Sequence, residues 1–333
     1  MLKAATIGFG GIAQNAHVPS LVELEKKGVA RLVAACDINP EQFSKKLEIN
    51  LGGTEVTVEN YNSYTDLEEM LAKEEIDIII ICLPTFLHAK YTIDMLNRGY
   101  NVLCEKPMAR NFEDCKAMIK AAETSKGKLM IGQCLRFSDE YLFLKKAIDN
   151  NTFGKVKSAL FHRLSEPPMW AWENWFMNHE RSGGCLMDMH IHDLDIARFL
   201  FGEPKAVSCV TADIICGDDV AHSRLIYDDK AVMAIGDWSR KGLGFDYDYT
   251  IGFENATITG KWNKMTVCPR DGENFNPEIN EDSMYKNELE YLIELINNGG
   301  KNEVNPPESS AETIRLVQTL KASADKGGEI VKL

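Results

Sequence analysis

Residues 4–13 read Ala-Ala-Thr-Ile-Gly-Phe-Gly-Gly-Ile-Ala, in which a short apolar run leads directly into a cluster of glycines. The cluster has the spacing Gly-x-Gly-x-x-Ala, formed by Gly8, Gly10, Gly11, Ile12 and Ala13. In a turn between a strand and a helix, the first glycine makes the tight turn and the second lets a pyrophosphate approach the backbone. The N–H groups at the helix start then attract phosphate oxygens. The stretch predicts a nucleotide-binding turn, although an ordinary structural turn is the alternative when the glycines are considered alone.

The pattern around this turn favours nucleotide binding. Short β-rich runs alternate with helical patterns through the first 130 residues, which is typical of βαβ units and of a doubly wound parallel sheet. The predicted strands are Ala4–Gly8, Ala30–Cys36, Asp77–Cys82, Asn101–Cys104 and Lys128–Gln133.

An acidic residue, Asp37, follows the second predicted strand. At that position a carboxylate accepts hydrogen bonds from the adenosine ribose hydroxyls. A ribose 2′-phosphate would meet a like charge there and would lose a charge-assisted hydrogen bond worth about 1.5–3 kcal/mol. The sequence therefore predicts NAD as the cofactor, in preference to NADP.

The pattern changes after about Ser138. A helix over Asp139–Asp149, a strand over Lys155–Leu164 and a helix over Met187–Phe201 precede several strand candidates that have no helices between them. Such a succession predicts an α+β domain on an open, mostly antiparallel sheet. We therefore expect a nucleotide-binding domain over residues 1–130 and a substrate-binding and oligomerisation domain over residues 131–333.

Composition excludes several classes of protein. The 37 Lys and Arg residues against 50 Asp and Glu residues leave a net charge of −13, which disfavours nucleic acid and anionic membranes as partners. No apolar run approaches the ~20 residues of a membrane span, and Met1 leads straight into a predicted strand, so we expect no signal peptide. The nine cysteines are scattered without metal-binding spacing. These features predict a reduced, cytoplasmic protein without a metal.

A lysine follows the fourth predicted strand, in Cys104-Glu105-Lys106-Pro107. Ligands of open α/β sheets bind beyond the carboxyl ends of the strands, so the Lys106 ammonium is placed to stabilise negative charge on a substrate oxygen. The alternative is a solvated charge at the end of a strand.

A second polar group lies in the predicted helix Met187–Phe201. On a regular helix Asp188 and His192 are about 40° apart, whereas His190 and His192 are about 200° apart. This spacing argues against a metal site that uses both histidines. It suits an acid/base pair in which the Asp188 carboxylate orients the His192 imidazole, although a structural Asp–His pair remains the alternative.

Together these motifs resemble the Gfo/Idh/MocA oxidoreductases, and Ile191-His192-Asp193-Leu194-Asp195 is most similar to the inositol dehydrogenase branch. The resemblance implies a Rossmann domain, a second α/β domain and a homodimer or homotetramer. It assigns Lys106, Asp188 and His192 to catalysis. It assigns the nucleotide site to Gly8, Gly10, Ala13, Asp37, Pro84, Thr85 and His88, with Glu105 beside the lysine. The chain departs from the pattern at His190, where a small residue is usual.

Several further residues are candidate substrate contacts. The loop at residues 167–175 holds three tryptophans, and Trp172 and Trp175 suit either a platform for a sugar ring or a core or dimer contact. Arg136, His190 and Tyr285 complete the set of candidates.

These residues predict a dehydrogenase that oxidises a secondary hydroxyl of a cyclitol, sugar or glycoside by hydride transfer to NAD. Two alternatives stay open. One is a redox-neutral glycosidase or lyase that acts through a transient keto-sugar, and the other is a nucleotide-binding regulator without catalysis.

Overall fold

A computed structural model describes residues 1–45, 61–262, 264–280 and 282–333. The chain forms two compact units. The first comprises Met1–Cys134 and Ser283–Ala311, and the second comprises Leu135–Asp282 and Glu312–Leu333. Residues 283–311, which the sequence analysis assigns to the second domain, therefore pack with the part of the chain that is predicted to bind a nucleotide.

The first unit is built on a parallel sheet in the order β3-β2-β1-β4-β5-β6. A π-helical turn, Ala13–His17, leads into α1. The elements are β1 (Leu2–Ile7), α1 (Val18–Lys26), β2 (Ala30–Cys36), β3 (Asn62–Tyr64), α2 (Leu67–Lys73), β4 (Ile78–Ile81), α3 (Thr85–Asn97), β5 (Asn101–Glu105), α4 (Phe112–Thr124) and β6 (Leu129–Gly132). The four isoleucines of β4 are fully buried, as expected for a central strand with both faces covered.

The second unit is built on a sheet in the order β13-β12-β11-β7-β10-β9-β8-β14. Its strands pair antiparallel except for β7 with β10. The remaining elements of the chain are α5 (Asp139–Asp149), β7 (Val156–Leu164), α6 (His179–Ser182), α7 (Gly184–Asp188), α8 (Ile191–Phe201), β8 (Ala206–Ala212), β9 (Val220–Ile226), β10 (Ala231–Asp237), β11 (Asp246–Phe253), β12 (Ala256–Lys261), β13 (Lys264–Pro269), α9 (Met284–Asn298), α10 (Pro307–Ala324) and β14 (Val331–Lys332). The predicted fold class, a doubly wound parallel sheet followed by a mostly antiparallel one, is confirmed.

Helix α9 belongs to the first unit because its apolar face packs there. Leu289, Leu292 and Ile293 are buried, and Glu290 on the outer side pairs with Lys27 at the end of α1 at 2.7 Å. Its sequence carries a helical period but no signal of which sheet it covers, which is why the sequence analysis left it with its neighbours along the chain.

The prediction of one regular helix over Met187–Phe201 is wrong. The chain instead forms α7 and α8, and the His190 N–H donates to the Cys185 carbonyl five residues earlier at 2.9 Å. An α-helix bonds four residues back, so this bond inserts an extra residue into the turn and shifts α8 relative to α7. The 40° angle calculated for Asp188 and His192 therefore does not apply.

Candidate active site

The glycine turn after β1 has the shape that a bound pyrophosphate requires. Gly8 has a φ of +89°, and a Cβ there would lie 2.4 Å from the Cys82 carbonyl oxygen, so only glycine fits. Among the residues that the structure describes, nothing lies within 4 Å of a Cβ placed on Gly10, which leaves open space beside that backbone. Ala13 is fully buried where the π-helical turn begins, as predicted for the small residue of the motif. The turn fits a dinucleotide, since it combines close packing on one side with access on the other.

Asp37 secures this turn as well as standing at the predicted ribose position. Its Oδ2 accepts the N–H of Phe9 at 2.8 Å, and its Oδ1 accepts the N–H of Asn39 at 2.9 Å. The residue is half-buried, so the carboxylate stays accessible at the end of β2. Because a carboxylate has about four acceptor positions, these two bonds leave room for ribose hydroxyls.

In the first turn of α3, His88 lies against backbone carbonyls, whereas the resemblance assigns it to the nucleotide site. Pro84 precedes the helix and Thr85 is buried in its first turn. The two ring nitrogens of His88 lie 2.7 Å from the carbonyl oxygens of Leu83 and Pro107. Burial lowers the pKa of His88, although both carbonyls oppose this shift. The ring therefore contacts backbone rather than offering a nitrogen to a nucleotide.

We define the Lys106 turn as residues 105–107, which include a cis peptide bond between Lys106 and Pro107. Between Val102 and Ala109, Lys106 is half-buried and every other residue is buried. The Glu105 carboxylate faces inward, with Oε1 at 2.6 Å from His17 Nε2 and Oε2 accepting the Lys106 N–H at 3.2 Å. The structure therefore makes Lys106 the accessible group of this turn and Glu105 its internal support.

In the first unit, the parallel sheet brings the residues that are predicted to bind the nucleotide to one of its edges. Strands β1, β2, β4 and β5 are adjacent and parallel, so the segments that follow them emerge at the same edge. These segments begin at Gly8, Asp37, Cys82 and Lys106, and the third of them reaches Pro84 just before α3.

In the second unit, the predicted acid/base residues are the accessible ones of a buried segment. From Ser182 to Arg198, Asp188 and His192 are half-buried and all other residues are buried. The segment therefore presents one carboxylate and one imidazole to solvent, despite the break between α7 and α8. Such a pair can orient and exchange a proton with a substrate hydroxyl.

Two predicted substrate contacts are buried instead. His190 is fully buried, its Nε2 lies 2.9 Å from Ser223 Oγ, and burial lowers its pKa to about 3. A Cβ on Gly236 would lie 2.8 Å from the Cβ of His190, so the imidazole fills the space over that strand. Arg136 forms a buried bidentate pair with Asp195, at 2.8 Å and 2.7 Å. Both side chains are therefore engaged inside the second unit, and neither is accessible to a substrate, contrary to the prediction.

The tryptophan loop divides between the two interpretations that the sequence left open. Trp175 is 9% exposed and stacks on Phe176 with ring centroids 3.9 Å apart. Phe176 in turn packs on the buried cluster of Cys185, Met189 and Trp238. Trp172 is 38% exposed. Trp175 is therefore part of the core beside α7, and Trp172 is the accessible candidate.

Tyr285 leads to two residues that the sequence analysis missed. Its ring lies edge-on to His17, with centroids 5.8 Å apart, and its own pKa is raised by burial. One turn further along α9, Glu288 is fully buried, and burial followed by the charge of Glu105 raises its pKa well above the usual range. The signal in the sequence was a single polar residue, His17 or Glu288, on the apolar face of a helix. No motif distinguishes either residue.

Within residues 1–45, 61–262, 264–280 and 282–333, no helix is long and apolar enough to cross a membrane. Across the same ranges, no group of three or more His, Cys, Asp and Glu side chains is placed to hold a metal ion.

Comparison with known families gives two matches along the chain. The family model described as "Oxidoreductase family, NAD-binding Rossmann fold" matches residues 2–133. The model described as "GFO/IDH/MocA C-terminal domain" matches residues 141–259. The first match covers the whole parallel sheet, and the second runs from α5 into β12, so that β13 and β14 lie outside it.

Individual relatives carry several activities. Inositol 2-dehydrogenase of Rhizobium meliloti is 29% identical over 291 residues, which are 82% of this chain and 83% of that protein. A 2,7-anhydro-N-acetylneuraminate hydratase of Mediterraneibacter gnavus is 30% identical over 211 residues, or 63% of this chain and 51% of that protein. The solved structure of a levoglucosan dehydrogenase in complex with NADH and levoglucosan has a TM-score of 0.83 at 19% identity, with 100% and 99% of the two chains covered. That last likeness concerns the fold.

Proposed function

Because the chain belongs to the Gfo/Idh/MocA family of NAD-binding oxidoreductases, we propose that it oxidises a secondary hydroxyl of a cyclitol, sugar or glycoside. The observation that carries this proposal is the selective exposure of Lys106, Asp188 and His192. Each is half-buried within a stretch whose other residues are buried. A buried segment that keeps its chemically active side chains accessible is suited to contact with a substrate.

The nucleotide would be held by the glycine turn, by Asp37 and by the turn at Pro84 and Thr85. When bound, NAD supplies the acceptor for the hydride of the carbinol carbon. We propose NAD over NADP because the Asp37 carboxylate would repel a 2′-phosphate. We expect Asp37→Asn to reduce the ratio of kcat/KM for NAD to that for NADP by at least about tenfold, the equivalent of one charge-assisted hydrogen bond.

The protein residues would divide the remaining work. His192 removes the proton of the substrate hydroxyl, and Asp188 orients the imidazole that receives it. Lys106 stabilises the negative charge that develops on the substrate oxygen. Trp172 offers an accessible aromatic surface to the ring of the substrate.

The net charge of −13 favours a neutral small molecule over nucleic acid or an anionic membrane as partner. We also propose that the protein is cytoplasmic and forms a homodimer or homotetramer through the domain at residues 131–333.

The test is NADH formation, followed by absorbance, with myo-inositol, scyllo-inositol, glucose, galactose and simple glycosides as substrates. We expect Lys106→Ala to abolish the rate, while Lys120→Ala, an exposed lysine on α4, leaves it unchanged. A rate that survives Lys106→Ala would overturn the assigned role of this lysine.

A second candidate function is redox-neutral chemistry through a transient keto-sugar. The relative named as a 2,7-anhydro-N-acetylneuraminate hydratase favours keeping it. Its signature would be conversion of a glycoside or anhydro-sugar, detected by mass spectrometry, with no net NADH. If NAD binds and no substrate of the panel is converted by either measure, the alternatives are a substrate outside the panel and a nucleotide-binding regulator.

A further inference from the structure

The Lys106 turn is held on both sides by buried histidines from other parts of the first unit. On one side, His17 Nε2 lies 2.6 Å from Glu105 Oε1. On the other side, His88 Nδ1 lies 2.7 Å from the carbonyl oxygen of Pro107. Lys106 is the accessible residue between these two attachments.

The contact with His17 has a defined direction. The ring is fully buried, and within the described residues its Nδ1 has no hydrogen-bond partner. The hydrogen therefore belongs on Nε2, which donates to Glu105 Oε1. Because Glu105 Oε2 accepts the N–H of Lys106, the imidazole fixes the carboxylate that fixes the backbone of the lysine.

The two histidines are also attached to the nucleotide-binding turns. His17 is the last residue of the π-helical turn that starts at Ala13, directly after the glycine turn. His88 lies in the first turn of α3, which begins at Thr85, and its Nε2 contacts the Leu83 carbonyl. Each nucleotide-binding turn is thus joined to the Lys106 turn by one imidazole.

We propose that His17 and His88 are positioning residues that couple the two nucleotide-binding turns to the placement of Lys106. The inference rests on the proposed function, because the role of Lys106 in stabilising charge on a substrate oxygen requires a defined position of its side chain. Occupation of the turns by the dinucleotide would then stiffen the backbone at Lys106 before substrate binds. Misplacement of a catalytic group by about 1 Å costs on the order of 100-fold in rate, so such coupling has a large effect on turnover.

The effects on kcat, rather than on stability, distinguish a positioning role of His17 from a merely structural one. The His17 side chain is fully buried and that of Glu105 is 6% exposed, so removing the imidazole leaves a buried carboxylate without its partner and lowers stability in either case. The coupling predicts in addition that kcat falls much more than the affinity for the nucleotide. It also predicts that restoring a donor at the same place restores kcat.

The test compares His17→Gln with His17→Met. Glutamine keeps an N–H donor within reach of Glu105, and methionine fills a similar volume without one. For each variant, kcat, KM for substrate, Kd for NADH and Tm are measured, and the same comparison is made with His88→Gln and His88→Met. We expect the methionine variants to lose about 10- to 100-fold in kcat with a smaller change in Kd, and the glutamine variants to keep most of kcat. If His17→Met does not fold, His17→Asn, which is too short to reach Glu105, replaces it.

Hydrogen–deuterium exchange over residues 102–110 supplies a readout that does not depend on turnover. NADH should slow exchange at the Lys106 turn in the wild type and do so less in His17→Met. If the wild type shows no turnover, the proposed function fails, and this measurement still decides the coupling. An unchanged kcat in His17→Met, or equal protection by NADH in both proteins, would overturn it.

Discussion

The Lys106 turn and the segment from Ser182 to Arg198 both expose a few polar side chains from buried backbone, and they hold them by different means. The turn is fastened by side chains that bond to it from other elements, namely His17 and His88. The segment is fastened by its own buried polar residues, which reach outward to neighbouring strands and helices. Its attachments are His190 to Ser223, Asp193 to Arg163, and Asp195 to Arg136 and Thr313.

The difference teaches that exposure, rather than residue type, separates the reactive groups from their supports. His190 and His192 are two residues apart, and one is fully buried while the other is accessible. Glu105 and Lys106 are neighbours with the same contrast.

Within these two regions we therefore expect substitution of the accessible Lys106, Asp188 and His192 to change activity with little change in stability. Substitution of the buried supports should lower stability, and it should also lower activity where the support positions a reactive group, as proposed for His17 and His88.

The strongest test of this division is His192→Ala. Loss of the general base should lower kcat by about 10²- to 10⁴-fold, while Tm and NADH affinity stay near the wild-type values. His222→Ala, which removes an exposed histidine of β9, is the matched control. Steady-state kinetics and thermal unfolding measure the two effects. A fall in kcat no greater than that of the control would break the comparison.

Next in size is the buried pair of Arg136 and Asp195. Arg136→Leu leaves the carboxylate with Thr313 and a distant Arg198, so unfolding in urea should show a loss of about 3 kcal/mol or more. Lys205→Met breaks the exposed pair with Asp228 and should cost less than about 1 kcal/mol. Equal losses in the two variants would show that burial does not decide the outcome.

His190 should make stability depend on pH. Burial, followed by the charges of Arg163 and His222, lowers its pKa from 6.5 to about 3, so the unfolded chain binds a proton that the folded chain does not. Stability is therefore lost as pH falls below about 6.5, by about 2 kcal/mol at pH 5. In His190→Gln, the difference in unfolding free energy between pH 7.5 and pH 5 should shrink by that amount. A wild-type slope in the variant would contradict this account.

The smallest effect concerns Glu288. Its raised pKa means that the folded carboxyl stays protonated where the unfolded one ionises, so stability falls as pH rises above the unfolded pKa. Glu288→Gln should raise the free energy of unfolding by about 1 kcal/mol or more at pH 7.5, the equivalent of one pKa unit, and by less at pH 5. Glu294→Gln on the exposed side of α9 should do neither.

Much of the first unit was predictable because the regular alternation of strands and helices fixes which residues lie at the carboxyl ends of the strands. A glycine turn after a strand and an acid after the next strand have fixed meanings in a parallel sheet, and β2 was predicted at its observed bounds. The same reasoning missed His17 and Glu288, because a buried polar residue on an apolar helix face depends on a partner distant in sequence.

In the second unit the strands were predictable from their alternation, while the break between α7 and α8 was not. No proline or C-terminal glycine marks residues 189 and 190, and the wide turn there comes with the burial of His190 against β9. Arg136 was misread for a related reason. Its charge suggested a ligand, and its partner Asp195 lies 59 residues away along the chain.

The contact between His190 and Gly236 carries an evolutionary consequence. The imidazole occupies the space that a side chain at position 236 would need, and the strand carries glycine there. In a homologue with glycine at position 190, which lacks the Cβ as well as the imidazole, a methyl group at position 236 becomes sterically acceptable, whereas either change alone leaves a clash or a cavity. The two positions should therefore co-vary, and an ancestor that acquired His190 must already have carried glycine on β10 or have acquired both together.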